Sequence, residues 1–436
     1  MGAGLRGDII PFFALFTRHS TLDTPLDSPV RVLKSKSTYA EHTELAALFF
    51  LQMMALGTWL VPLSRILNGN GFAALAPYAY ATSATAAFIS PLIFGAMADR
   101  HASPVRVLRW LAIASGAASC LAGWGIAHGW PAARVLGLLQ LYALAAVPTS
   151  SITSTIIFSR LKDSQRQFGP LRAAATFGWM CGCWLVSSLN LDASPAATYL
   201  GGSLWIALAV FTCFLPALPP TPGPPMTLRQ RMGWDALTLL KHHDHRVVFL
   251  MVALFSIPLA AFYPFTPPHL QHLGFERTSA WMTLGQITEI IAMFCLAGLL
   301  ANWRLKWIFV TGLLVGLLRY VVCALDQKAW LLAGITLHGF SFTLVFITAQ
   351  IYLNERVEVA WRARAQALMS LMTSGLGNLV GYLSTGVWFQ ACSRDGKTDW
   401  RLFWNCLAVA IACVLVFFLI AYHGRSAGFR RQTVVK

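Results

Sequence analysis

Apolar segments long enough to cross a bilayer recur along this chain from residue 44 to residue 423. A helix needs about twenty apolar residues to span the hydrocarbon core. Segments of that kind fall near 44–66, 73–97, 105–127, 133–158, 170–190 and 197–217, then near 247–270, 279–301, 305–325, 329–353, 365–389 and 401–423. Nothing else in the sequence restricts the fold as much. Within a membrane every backbone N–H and C=O must be satisfied by the protein itself, which leaves helices and closed barrels, and runs of this length select helices. Of the 436 residues 56% are hydrophobic and only 11% are charged, whereas a soluble domain carries roughly a quarter of its residues as charges. An ordinary water-soluble enzyme is excluded, as are most fibrous and disordered classes.

The twelve segments divide six and six around a polar stretch at 218–246. That stretch opens with Pro219, Pro220, Pro222, Pro224 and Pro225, a clustering that favours an extended linker, and continues as a basic, helix-compatible segment from Arg229 to Arg246. The expected organisation is an N-terminal tail at 1–43, a six-helix bundle at 44–217, a linker at 218–246, a second bundle at 247–423 and a C-terminal tail at 424–436. Two six-helix halves joined by a cytosolic loop is the arrangement of the major facilitator fold, so the expected class is an all-α integral membrane protein. The apolar patch from Ile9 to Phe16 is too short to span and lacks a small-residue cleavage site, and the first tail reads as disordered.

Lys and Arg set the expected orientation. With the N-terminus inside, 25 of the 33 fall on the cytosolic side, and 7 fall outside: Arg65, Arg134, Arg277, Lys328, Arg394, Lys397 and Arg401. Arg319 remains within a span. This asymmetry is the positive-inside pattern and places both termini in the cytosol. The net charge of +16 is therefore topological. No dense Lys/Arg run marks a nucleic-acid surface. The nine cysteines lie mostly in apolar runs, where a free thiol behaves as a small hydrophobe, and none forms a Cys-x-x-Cys pair.

Ionisable side chains inside a span cost roughly 2.5–3.5 kcal/mol each on insertion scales and are functional candidates by default. Glu289 in the eighth segment and Arg319 in the ninth stand out. Gln286 lies three residues before Glu289, on the same helix face. Two readings stand for these charges: an acid on a watered cavity, or a structural Glu289–Arg319 pair that pins two helices. Arg172 opens the fifth segment, with Thr176 and Trp179 one and two turns on. It either snorkels to the cytosolic interface or reaches a ligand or inner gate, and Trp179 offers a flat surface for a planar ring. His338 lies one turn before Phe342, facing the same region. His269 and His272 have i, i+3 spacing without an evident carboxylate, so no metal is expected, and His242, His243 and His245 read as solvated charge in the basic loop. No nucleotide loop, metal cluster or catalytic triad occurs, so no enzymatic activity and no cofactor are expected.

Five stretches carry a family resemblance. Gly95-Ala-Met-Ala-Asp99-Arg100, followed by Arg106, resembles the gating string of major facilitator transporters at the loop between the second and third spans. Phe168-Gly-Pro-Leu-Arg172-Ala-Ala-Ala-Thr176-Phe-Gly178-Trp179 resembles the F-P-P-I-R-x-x-G-T-x-G-F string of the bacterial nucleoside:proton symporters, and Gly285-Gln286-Ile-Thr-Glu289 their S-Q-I-S-E. Phe50-Leu-Gln52 with Gly57-Thr58-Trp59-Leu60, and Arg362-Ala-Arg364-Ala-Gln366, are similar to further strings of that family. The likeness runs in order from about residue 44 to 423. It implies substrate or coupling roles for Arg172, Thr176, Trp179, Gln286 and Glu289, with Tyr263 and Phe342 lining the same site, Glu289 taking the proton, and Gly95, Asp99 and Arg100 gating. Two departures bear on substrate and coupling. Thr343 stands where the family has an Asp after the aromatic, and Thr cannot titrate. Ala260 and Tyr263 stand where the family presents amides.

The function expected from this resemblance is proton-coupled transport of a small polar solute, a nucleoside, by alternating access across the inner membrane. An uncoupled facilitator, or a carrier of another solute such as a sugar, is the alternative. The expected partners are the solute, protons and the lipid bilayer, with the chain acting as a monomer and binding no nucleic acid.

Overall fold

A computed structural model describes residues 38–100, 103–161, 164–216, 218, 227 and 234–424. Twelve long helical elements follow in order. The first half holds α1 (Thr38–Leu60, carried on by Leu63–Gly69), α2 (Ala76–Arg100), α3 (Pro104–Ala127), α4 (Ala132–Phe158), α5 (Ser164–Ser188) and α6 (Ala196–Phe211). The second holds α7 (His243–Leu259, then Phe262–His272), α8 (Thr278–Met282, then Leu284–Asn302), α9 (Leu305–Cys323), α10 (Lys328–Phe342 and Thr348–Arg356), α11 (Val359–Ser370 and Asn378–Ala391) and α12 (Trp400–Ala421). Among the described residues eight of these are long and apolar enough to cross a membrane, and α6 is a shorter apolar helix. This is a multi-pass, all-helical membrane protein of major facilitator fold, with six helices in each half. Between α11 and α12 a small hairpin of β1 (Ser393–Arg394) and β2 (Lys397–Thr398) turns the chain, and Asp399 caps α12 by accepting the Leu402 N–H.

The hydropathy pattern underestimates some helices, and the reason is local packing. The first helix starts at Thr38 rather than near 44 because its opening turns carry Glu41 and Glu44, each 3.1 Å from the Arg160 guanidinium just beyond α4. Helix α5 starts well ahead of residue 170, where Phe168 stacks on Phe158 at 4.5 Å and meets Phe49 edge-on at 6.2 Å. In α7 Pro258, Pro264, Pro267 and Pro268 each lack a backbone donor, and the helix breaks at Ala260 and Ala261.

The polar stretch before α7 also folds back further than expected. A short 3-10 helix, Trp234–Lys241, buries Ala236 against the second-half core. His245 is not solvated loop charge: it lies within α7, buried, with Nδ1 2.8 Å from the Tyr352 hydroxyl. The expected linker residues 219–226 and the tails at 1–37 and 425–436 lie outside the described residues.

Each half has its own apolar core, one around Trp59, Tyr142 and Trp205, the other around Phe255, Tyr320 and Trp404. Close backbone contact joins α1 to α5. A Cβ at Gly57 would fall 2.5 Å from the Trp179 carbonyl oxygen, so only glycine lets Trp179 sit there. Several hydrogen bonds link the two halves at the end opposite the N-terminus. At that end Asp192 accepts from Ser279 N at 2.7 Å and from Thr278 Oγ1 at 3.2 Å, Ser187 Oγ accepts from Ala280 N at 3.0 Å, and Arg65 donates to the Glu276 carbonyl at 2.8 Å. The halves are thus drawn together at one end.

Candidate functional site

Two cavities flank the plane where the halves meet. One, of about 250 Å³, lies in the second half between α7, α8, α10 and α11, and its walls include Ala260, Tyr263, Glu289, His338, Phe342, Gln350 and Asn378. The other, about 230 Å³, lies in the first half, lined by Leu56, Trp59, Thr82, Tyr142, Ser150 and Trp179. The rings of Trp179 and Tyr263 stand 6.1 Å apart between them, tilted by 59°. Trp179 Nε1 is buried without a partner, which leaves one donor unspent next to this boundary.

The second-half cavity is built by helix crossings that the sequence encodes in small and hydroxylated residues. Helix α10 approaches α8 so closely at Gly339 that any Cβ would collide with the Glu289 backbone N–H and the Gly285 carbonyl. One turn away Thr288 Oγ1 donates to the Thr336 carbonyl at 2.6 Å, tying the same two helices. These contacts fix the backbone from which Glu289 projects. Gln286 Nε2 donates to the Tyr263 hydroxyl at 3.3 Å, and Tyr80 of the first half reaches the Tyr263 carbonyl at 3.3 Å. Two π turns interrupt the walls, Thr343–Ile347 in α10 and Leu371–Gly377 in α11. Such turns re-aim side chains and recur at functional sites. Here Phe342, Phe346, Thr373 and Ser374 at or beside them line the cavity.

Most of the residues singled out from the sequence come together. Tyr263, Glu289 and Phe342 line one cavity, Gln286 bonds to its Tyr263, and Trp179 meets Tyr263 from the other half. Thr176 is buried on α5 one turn before Trp179. Arg172 is exposed on α5 and is not among the residues lining either cavity. For the gating string, α2 runs on to Arg100, but the side chains of Gly95, Asp99 and Arg100 lie outside the described ones.

The pair of Glu289 with Arg319 does not form. Arg319 is 1% exposed and donates from Nη1 to His338 Nδ1 at 3.0 Å, with its guanidinium 4.5 Å from the Phe262 ring and 4.7 Å from that of Tyr320. It turns toward the aromatic layer behind the cavity wall, leaving Glu289 to the cavity. Thr343 is fully buried, Oγ1 unpartnered, and it is not among the cavity-lining residues. His269 does have a carboxylate. Asp326, from the α9–α10 connection, lies 2.8 Å from Nε2, and Trp404 donates to Nδ1 at 3.0 Å. Both ring nitrogens are therefore used, and among the described residues no group of three potential metal ligands assembles.

Sequence reading missed Gln350, Asn378 and Tyr382. The search that found Gln286, a polar side chain within an apolar span, also points to Gln350 and Asn378. Tyr382 has no such mark in the sequence, because aromatic residues are common throughout these helices.

A family model described as nucleoside H+ symporter matches residues 40–426. The chain is 33% identical over 401 residues to the putative nucleoside transporter YegT of Escherichia coli (strain K12), covering 87% of this chain and 93% of that protein. It is 24% identical over 404 residues to the nucleoside permease NupG of the same organism, covering 87% and 94%. A crystal structure of a mutant of nucleoside transporter NupG superposes with a TM-score of 0.80 at 22% identity, over 88% of this chain and all of that one.

Proposed function

The chain belongs to the nucleoside H+ symporter family, and on that premise we propose that it moves a nucleoside across the inner membrane together with a proton. The observation that carries the reading is Glu289. It is an acid on a cavity wall inside a membrane span, held there by a backbone crossing at Gly339, without the ion pair to Arg319 that would make it purely structural. An unpaired acid in such a place can bind and release a proton as the cavity opens to one side and then the other. Gln286, through Tyr263, adds polar groups that a ribose or base can engage. Trp179, Tyr263 and Phe342 supply aromatic faces for a planar ring.

Arg172 lies on α5 of the first half and Glu289 on α8 of the second, so a change in the relation of the halves changes the distance between this cation and the acid. Coupling of proton and solute rests on this link rather than on the Thr343 position, which has no titrating group. In the orientation given by the positive-inside pattern, both termini are cytosolic. The closed end, with Asp192 and Arg65, then faces outward, and the arrangement is inward-facing. The two six-helix halves rock about the site, with Gly95, Asp99 and Arg100 gating on the cytosolic side.

The test is uptake of labelled uridine and adenosine in cells lacking their own permeases, with and without a protonophore. Uptake that collapses with the protonophore supports symport through Glu289. Uptake that survives it favours the uncoupled reading. Absence of uptake for both solutes overturns the substrate assignment.

A further inference from the structure

A buried guanidinium is expensive unless it is compensated, and Arg319 forms no ion pair with a carboxylate among the described residues. Its hydrogen-bonding partner is a ring nitrogen, Nδ1 of His338, at 3.0 Å. A guanidinium has donors only and is always charged. The nitrogen it meets must therefore be the acceptor, and a neutral imidazole with an accepting Nδ1 carries its proton on Nε2. The ring has little freedom to choose otherwise. It stacks on Phe262 at 3.9 Å and 18°. On another side its Cδ2 is 3.2 Å from where a Cβ on Gly285 would lie, so the α8 backbone is close against that edge. His338 lines the cavity that also holds Glu289, and with Nδ1 taken by Arg319, Nε2 is the ring nitrogen left to serve it.

We infer that Arg319 is a positioning residue that locks His338 as its Nε2–H tautomer, giving the solute cavity a permanent hydrogen-bond donor that selects ligands bearing an acceptor, a ring nitrogen or a carbonyl oxygen, at that wall. This deepens the transport reading above and rests on it for the identity of the ligand. Protonating the ring would place two donors face to face at 3.0 Å beside a fixed positive charge, so His338 serves as a donor of constant polarity while Glu289 takes the proton. The other ionisable or charged groups around the ring are Tyr263, 6.5 Å away between centroids, Arg319 itself and Glu289 across the cavity. A donor at His338 and an acceptor at Glu289 together discriminate against solutes that lack the complementary pair, since a buried polar group left unpaired is strongly penalised.

The experiment has two arms. In the first, the full chain in lipid, labelled with 15N in its histidine rings, is examined by solid-state NMR, with the His338 signals assigned by their loss in His338→Phe. The expected result is an unprotonated Nδ1 and a protonated Nε2 from pH 8 down to about 5, below the ordinary histidine range. In Arg319→Met the pattern should change to mixed tautomers or to titration, and Arg319→Lys should partly restore it. A protonated Nδ1 in the wild type, or an unchanged pattern in Arg319→Met, overturns the proposal. If Arg319→Met does not fold, the wild-type pattern alone decides this arm.

The second arm measures adenosine and uridine binding by the wild type and by His338→Phe, which keeps the stack on Phe262 but removes the donor. We expect at least one of the two to bind about tenfold or more weakly to the variant. Equal affinity of the variant for both overturns the donor role while leaving the transport reading intact. Failure of the wild type to bind either nucleoside overturns the transport reading, and with it the ligand part of this inference, while the NMR arm still decides the tautomer.

Discussion

Asp192, in the connection between α5 and α6, accepts the backbone N–H of Ser279 at 2.7 Å, so a residue of one half caps the helix that carries Glu289 in the other. The carboxylate also accepts from Thr278 and from Ser187, and it satisfies a donor at the start of α8 that no intrahelical partner can reach. Because this cap exists only while the halves touch at that end, any state that opens there must break it. Asp192→Ala is expected to cost roughly 1–2 kcal/mol of stability, seen as a lowered melting temperature in detergent. Spin labels at Leu189 and Arg277 should report a shift from one short distance to a population of longer ones. An unchanged distance distribution would show that the cap does not hold this end closed. Asp192→Asn keeps an accepting oxygen and should lie between the two.

Glu289→Gln removes the titrating group while keeping the size of the side chain. Accumulation against a gradient should disappear, with uptake levelling off at equilibrium, whereas exchange of labelled for unlabelled solute continues. Concentrative uptake at the wild-type level would remove Glu289 from coupling.

Arg172→Ala tests the link between halves. If this cation of the first half serves the acid of the second, its loss should impair transport broadly and also move the pH dependence of uptake. Wild-type uptake with an unchanged pH profile would leave Arg172 only the role of a cation snorkelling at the helix end.

How far the site was legible in the sequence follows from which contacts decide each residue. Spans could be read because hydrophobic length is a property of one segment at a time. Gln286 and Glu289 could be read because polar groups within an apolar helix are costly wherever the helix packs. The partner of Arg319 could not, since Glu289 and His338 are both plausible by composition and only the rotation of α8, α9 and α10 against one another chooses between them. Asp192 and Asp326 were missed for a related reason. Each sits in a short connection that reads as solvent-exposed, and each gains its role from another part of the chain, Asp192 from the start of α8 and Asp326 from His269 of α7. His245 looked like one of three loop histidines, and it is buried because α7 begins at His243 and turns that position toward Tyr352.

Gly339 offers the strictest check on how the site is built. Its neighbours across the crossing are backbone atoms of α8, the Glu289 nitrogen and the Gly285 carbonyl oxygen, together with the Thr288 hydroxyl. Backbone cannot swing aside as a flexible side chain can, so Gly339→Ala has to push α8 and α10 apart. Overpacking of this kind costs typically about 1–3 kcal/mol. The separation would also lengthen the 2.6 Å bond from Thr288 to the Thr336 carbonyl and displace Glu289 from the cavity wall. The variant should melt at a lower temperature and transport far less than that stability loss explains. A control at Gly298, on the same α8 but with open space around its Cβ position, should fold and transport like the wild type. If Gly339→Ala kept both its melting temperature and its uptake, the close crossing of α8 and α10 would not be what positions the acid.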